Sequence, residues 1–120
     1  MFIKKLHECP EFIAGDSTIL REILHPDKDK SLSLRYSLAH AIVKPNEIST
    51  LHSLKTSEVY YIIEGEGLMR IDDETTAVWP WDTISIPPHA KQCITNTGKI
   101  DLKFLCIVDP AWRAEDEEIL

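Results

Sequence analysis

Apolar and polar residues alternate along much of this chain with a period of two, the spacing typical of β-strands. The clearest case is the run EVYYII at 58–63, which is closed by glycines at positions 65 and 67. Successive side chains of a strand point to opposite faces, so Glu58, Tyr60 and Ile62 share one face. The pattern therefore predicts an acid and a tyrosine on the same side of a central strand.

Further short segments have the same character. Strands are predicted within 31–43, at 67–71 with a return strand at 75–79 after a turn at 72–74, and at 101–108, where Leu102, Phe104, Cys106 and Val108 share a face. Residues 1–30 are interpreted as a lead-in with short extended pieces. Asp109 and Pro110 are suited to the N-cap and first position of a short C-terminal helix over 110–120. About seven strands without a long helix predict an all-β fold.

Composition limits the partners. The 120 residues are sufficient for one domain spanning 1–120, and 43% hydrophobic content is typical of a globular protein. A formal charge of −7 argues against nucleic acid, and no apolar run is long enough to span a bilayer. The N-terminus lacks the apolar region of a secretion signal, and the three cysteines are widely spaced. We therefore expect a cytoplasmic protein with reduced thiols and no membrane partner.

The stretch LHSLKTSEVYYIIEGEG at 51–67 resembles the first motif of the cupin superfamily. His52 matches the first histidine of that motif, Glu58 its glutamate and Gly65 its closing glycine, while Leu54 stands where a second histidine is usual. Asn46 replaces the glycine of the preceding turn.

A second stretch, WPWDTISIPPHAKQCITNTG at 79–98, resembles the second cupin motif. Trp81-Asp82 takes the Gly-Asp place, Pro87 matches the proline, and His89 stands at a glycine position. Gln92 occupies the position of the last histidine, and Asn96 matches the asparagine. The resemblance implies a double-stranded β-helix, also called a jelly-roll barrel, with its core at about 31–109.

Cupins often hold a divalent metal ion through three histidines and the glutamate. The resemblance accordingly implies His52, Glu58 and Gln92 as weak ligands of zinc, nickel, iron or manganese. Glu58 is also a candidate catalytic residue, and Tyr60 is a second one because it shares the strand face of Glu58. The implied activity is that of a metal-dependent enzyme, such as an isomerase, an epimerase or a dioxygenase, acting on a small oxygen-rich molecule.

Two alternatives remain open at this point. The three candidate ligands could form a buried hydrogen-bonded cluster without metal, which requires Glu58 to be paired or protonated. The barrel could also be a non-catalytic small-molecule-binding module or a structural protein, with Tyr60 as a pocket wall or an ordinary core residue. Outward-facing apolar side chains such as Tyr61 and Ile107 favour a homodimer.

Three other histidines are weaker candidates. His25 precedes a proline in a polar loop and is expected at a strand end in solvent. His40 lies on an apolar strand face, where a packed core histidine is more common than a ligand. His89 is three residues from Gln92, so on a regular strand it points to the opposite face.

Overall fold

The computed structural model describes all residues, 1–120, and contains eleven strands. They are β1 (Glu11–Ile13), β2 (Ile19–Leu24), β3 (Ser37–Val43), β4 (His52–Leu54), β5 (Ser57–Glu64), β6 (Gly67–Ile71), β7 (Glu74–Val78), β8 (Thr83–Ile86), β9 (Gln92–Asn96), β10 (Leu102–Asp109) and β11 (Glu117–Ile119). Single 3-10 turns occur at Leu6–Glu8 and Ala114–Asp116. None of these elements is a helix long enough and apolar enough to cross a membrane.

The strands form two antiparallel sheets. The six-stranded sheet has the order β1-β2-β3-β10-β5-β8, and the five-stranded sheet has the order β11-β4-β9-β6-β7. Alternate residues of β10 are buried, with Leu102, Phe104, Cys106 and Val108 inside as the sequence predicts. The first three of these residues belong to one core cluster with residues of the opposite sheet such as Ile94. The predicted all-β jelly-roll barrel is confirmed.

The two chain ends close one side of this barrel. Strands β1 and β2 extend the edge of the six-stranded sheet. The turn between them is tied to the segment just before β4 by a hydrogen bond of 2.7 Å from the Thr50 amide to the Asp16 carbonyl. At the other end, β11 pairs with β4 in the register Glu117 to Leu54 and Ile119 to His52. Both ends are therefore fixed beside His52.

Two local predictions differ from the structure. The C-terminal helix shrinks to the 3-10 turn at Ala114–Asp116, because the following residues obtain their backbone partners from the edge of β4. That pairing overrides the helix propensity of the acidic tail. The strand expected from Ser31 begins only at Ser37, since residues 31–36 continue the turn in which the Leu32 amide bonds to the Asp29 carbonyl.

Three positions that hold glycine in the cupin motifs have a left-handed backbone here. Asn46, Trp81 and His89 have φ values of 66°, 77° and 68°. Asparagine accepts this region readily, whereas tryptophan and histidine occupy it at a steric cost of about 1–2 kcal/mol. The turns of the family are therefore retained although their glycines are not.

Candidate functional site

A cavity of about 100 Å³ lies between the two sheets, at the end of the barrel where the N-terminal and C-terminal segments pack. Its walls include Tyr60 and Glu58 from β5, His52 from β4, Asp16 from the turn before β2, and Glu117 from β11. Four of these five side chains carry ionisable groups that ordinarily titrate below pH 7. The cavity therefore combines a mainly apolar wall with a group of ionisable side chains.

Gln92 links the sheets beneath this cavity. It is 1% exposed and does not line the cavity wall. The hydroxyl of Tyr60 donates to its Oε1 at 3.0 Å, and its Nε2 donates to Oε1 of Glu58 at 2.9 Å. Both ends of the Gln92 amide are thus occupied, and the chain Tyr60–Gln92–Glu58 crosses from one sheet to the other.

Glu58 is held by only one of its two oxygens. Oε1 accepts the Gln92 bond, while Oε2 makes no hydrogen bond to the protein, although the residue is only 7% exposed. Burial raises the pKa of Glu58 to about 8, and the negative charges of Asp16 and Glu117 raise it further, against the lowering effect of the Gln92 bond. At neutral pH, Glu58 is therefore mainly a neutral carboxylic acid whose second oxygen faces the cavity.

His52 is oriented by the backbone. Its Nδ1 lies 2.8 Å from the carbonyl oxygen of Thr50, and because a carbonyl only accepts, Nδ1 carries the hydrogen. Its Nε2 lies 3.6 Å from Oδ2 of Asp16, beyond hydrogen-bond distance. Asp16 is itself fixed through Oδ1, which accepts from the amide of Thr18 at 3.1 Å and from its hydroxyl at 2.7 Å.

Glu117 completes the acidic wall from the opposite chain end. Its Oε2 accepts a hydrogen bond of 2.8 Å from the indole nitrogen of Trp112, while its Oε1 faces Gly15. A β-carbon at Gly15 would approach that oxygen to 3.3 Å, so glycine leaves room for the carboxylate. Each of the three carboxylates thus has one anchored oxygen and one oxygen without a hydrogen bond to the protein.

In their present positions these side chains do not form the metal centre that the family implies. No three His, Cys, Asp or Glu side chains lie in positions that could hold a metal ion. Of the predicted ligands, Gln92 lies behind the cavity wall with its amide oxygen bonded to Tyr60. Leu54, also buried, supplies no donor atom at the fourth position. The ligand role of His52, Glu58 and Gln92 stays a prediction, although Glu58 and Gln92 are in direct contact.

The remaining histidines lie away from the cavity. His25 is buried rather than in solvent, because its Nε2 donates to the carbonyl of Trp112 at 2.9 Å and its Nδ1 accepts from the Asp27 amide. His40 is buried on the outer side of β3, since Ser37, Ala39 and Ala41 of the same strand line the cavity.

Two other reactive groups have no evident part in the site. His89 is exposed in the loop before β9. Cys106 lines the cavity, but burial raises the pKa of its thiol well above the ordinary value, so it is a neutral wall rather than a nucleophile. Like Cys9 and Cys93, it is a free cysteine.

Sequence reasoning missed Asp16 and Glu117. Asp16 lies in the predicted lead-in of residues 1–30, and Glu117 lies in the segment predicted as a C-terminal helix, and no site residue was predicted in either segment. The usable signal was the tail itself, since a tryptophan at 112 and isoleucine at 119 among the acids indicate a segment that packs on the barrel.

The fold and site define a small jelly-roll barrel with a buried polar centre. The cupin-domain family Cupin_2 matches residues 39–108, and the chain belongs to this family. It is 46% identical over 110 residues to the uncharacterized protein MJ1618 of Methanocaldococcus jannaschii, an alignment that covers 91% of this chain and 86% of that protein. Asp16 and Glu117 lie outside the matched family region.

Solved structures show the same barrel in proteins of different activity. A predicted oxalate decarboxylase from Thermotoga maritima superposes with a TM-score of 0.78 at 19% identity, covering 91% of this chain and 99% of that one. The nucleoside dehydratase Pac13 from Streptomyces gives 0.78 at 16% identity, covering 100% and 91%. At these identities the likeness establishes the fold, and enzymes are among the proteins that share it.

Proposed function

We propose that this cupin binds a small oxygen-bearing molecule in its cavity and that Glu58 exchanges a proton with it. The observation that carries the proposal is the placement of Glu58. It is buried, held at Oε1 by Gln92, and open to the cavity at Oε2. A neutral carboxylic acid in that position can protonate a carbonyl or a leaving hydroxyl oxygen, and its carboxylate can take a proton back.

Tyr60 acts in this proposal by positioning. Its hydroxyl hydrogen is directed to Gln92, so it holds the amide in the orientation that presents Nε2 to Glu58. Its ring packs against Phe104 in a tilted arrangement, with 4.5 Å between the ring centroids and 40° between the ring planes, which restricts the position of the hydroxyl. The hydrogen-bonded series Tyr60–Gln92–Glu58 thereby keeps the Glu58 carboxyl in one orientation, as efficient proton transfer requires.

The proposal is tested by screening small hydroxy and carbonyl compounds for binding and turnover with chelator-treated protein. A compound that is converted by the wild type should bind Glu58→Gln but be converted at least about 100-fold more slowly, the usual contribution of a general acid or base. Glu64→Gln, an exposed glutamate at the end of the same strand, is the control and should retain activity. Equal turnover by Glu58→Gln would refute the proton-transfer role.

A second candidate function is a weakly held divalent metal on His52 and Glu58, with Gln92 after rearrangement. The observation in its favour is the imidazole, because a histidine whose Nδ1 donates to a carbonyl offers Nε2 as a ligand. Elemental analysis and thermal shifts with zinc, nickel, iron and manganese test it. Gln92→His should raise metal affinity if this position belongs to the metal site, and unchanged affinity would exclude it.

A non-catalytic binding module is the other alternative to an enzyme. It uses the same cavity, and the screen above separates the two, because a module binds a compound without converting it.

A further inference from the structure

The charges around the cavity are unbalanced. No lysine or arginine lines it, and of the acids in its wall only Glu22 has a lysine partner, Lys28 at 2.9 Å. Asp16, Glu58 and Glu117 form no ion pair with lysine or arginine. Even with Glu58 neutral and His52 protonated, Asp16 and Glu117 contribute two negative charges against one positive charge. The wall then retains a net charge of −1.

The unpaired polar atoms are directed at this space. Glu58 is 93% buried by side-chain packing, yet its Oε2 has no hydrogen-bond partner in the protein, and His52, at 3% exposure, has none for its Nε2. Both residues line the cavity, so these two atoms are available to the donors and acceptors of a ligand bound there. This evidence is independent of the charge count.

The acids are also held before any ligand arrives. Trp112 fixes Glu117, Thr18 fixes Asp16, and backbone bonds tie both segments to β4. Side chains that are already ordered lose little conformational entropy on binding, so their free oxygens are ready acceptors.

We propose that the cavity selects a ligand bearing a positively charged amine, whose N–H groups donate hydrogen bonds to the free oxygens of Asp16 and Glu117. The inference rests on the proposed function for the location of the site, and it names the substrate class. The two residues come from the chain ends rather than from the cupin core, so they set specificity independently of the motif residues. Anionic molecules such as carboxylates and phosphates are repelled by the same wall.

Three probes of similar size and different charge test this inference. Ethanolamine is a cation at neutral pH, ethylene glycol is neutral, and glycolate is an anion. Binding is measured by ligand-observed NMR and by thermal shift on chelator-treated protein at pH 7. Ethanolamine is expected to bind at least about tenfold more tightly than ethylene glycol, the effect of one charge-assisted hydrogen bond, and glycolate is expected not to bind.

Variants assign the selection to the two carboxylates. Asp16→Asn and Glu117→Gln should each weaken ethanolamine binding about tenfold and leave ethylene glycol binding unchanged, while Glu118→Gln, the exposed neighbour on β11, should match the wild type. Glu117→Gln keeps the acceptor for Trp112, so it tests the inference even if Asp16→Asn fails to fold.

The outcomes separate the two proposals. Equal or tighter binding of glycolate, or ethanolamine binding that neither variant changes, overturns the amine inference. In those cases, Glu58-dependent conversion of a neutral compound would still support the proposed function.

Discussion

At the scale of single residues, the proposed chemistry depends on Glu58, whose pKa burial raises to about 8. Glu58 comes from a strand whose alternation could be predicted, and its inward direction is confirmed by its burial. The hydrogen bond between Glu58 and Gln92 could not be predicted, because Gln92 lies 34 positions away along the chain. The sequence is equally consistent with a metal ion between the two side chains and with a direct hydrogen bond. Glu58 and Gln92 are hydrogen-bonded to each other and on to Tyr60, whereas His52 bonds to the Thr50 carbonyl and not to this chain of side chains.

Stability should fall with pH between 4.5 and 8 because of Glu58. Unfolded Glu58 loses its proton near 4.5, whereas the folded residue keeps it until about 8, so unfolding releases a proton throughout this window. The free energy of unfolding should therefore decrease by about 1.4 kcal/mol per pH unit from this group and become level above pH 8. Urea titrations at pH 5.5 and 7.5 measure it.

The Glu58→Gln variant is the reference for that slope, because glutamine cannot ionise. It should lose this component of the pH dependence and be more stable than the wild type at pH 8. The same slope in both proteins would mean that Glu58 is ionised in the fold.

Removing the Tyr60 hydroxyl should cost about 1 kcal/mol of stability or somewhat more, because Oε1 of Gln92 loses its donor in a dry environment. Tyr60→Phe is compared by chemical denaturation with Tyr61→Phe, a half-exposed tyrosine that follows it on the other face of β5. Tyr61→Phe should change stability by less than about 0.5 kcal/mol. Equal effects of the two substitutions would contradict the hydrogen-bonded chain.

At the scale of elements, most strands could be predicted, because alternation and turn residues are local signals. The chain ends could not: an acidic tail with helix propensity becomes β11, and a lead-in turn supplies Asp16. β11 depends on pairing with β4, and the turn at Asp16 depends on a hydrogen bond from Thr50, just before that strand; both are tertiary contacts without a local signature. This is why the candidate site from sequence contained Glu58 and His52 but not the acids opposite them.

The loop before β9 offers a test of the retained family turn. His89 is exposed at φ 68°, so His89→Gly should relieve the left-handed strain, while His89→Ala keeps it. We expect the glycine variant to be more stable than the alanine variant by about 1 kcal/mol, measured by thermal or urea unfolding. A more stable alanine variant would contradict the prediction, because it would mean that the left-handed backbone at position 89 imposes no steric strain on a residue with a β-carbon.

At the scale of the whole molecule, the outer face of the six-stranded sheet carries exposed apolar side chains. Tyr61 and Ile107 are 36% and 38% exposed, Trp81 is 67% exposed, and the Tyr61 and Trp81 rings lie 6.3 Å apart. We propose that two copies pair through this face. Light scattering should give a dimer mass that Trp81→Lys reduces to that of a monomer, whereas Trp79→Lys should not. A monomeric wild type would refute the pairing.

The central claim is that a buried glutamate keeps its proton at neutral pH and presents it to the cavity. The most direct measurement is a carbon-13 NMR titration of the glutamate side-chain carboxyls from pH 4 to 10, with Glu58→Gln for assignment. We expect one carboxyl that titrates near pH 8 in the wild type and is absent from the variant. A Glu58 signal that titrates near its ordinary value of 4.5 would contradict it.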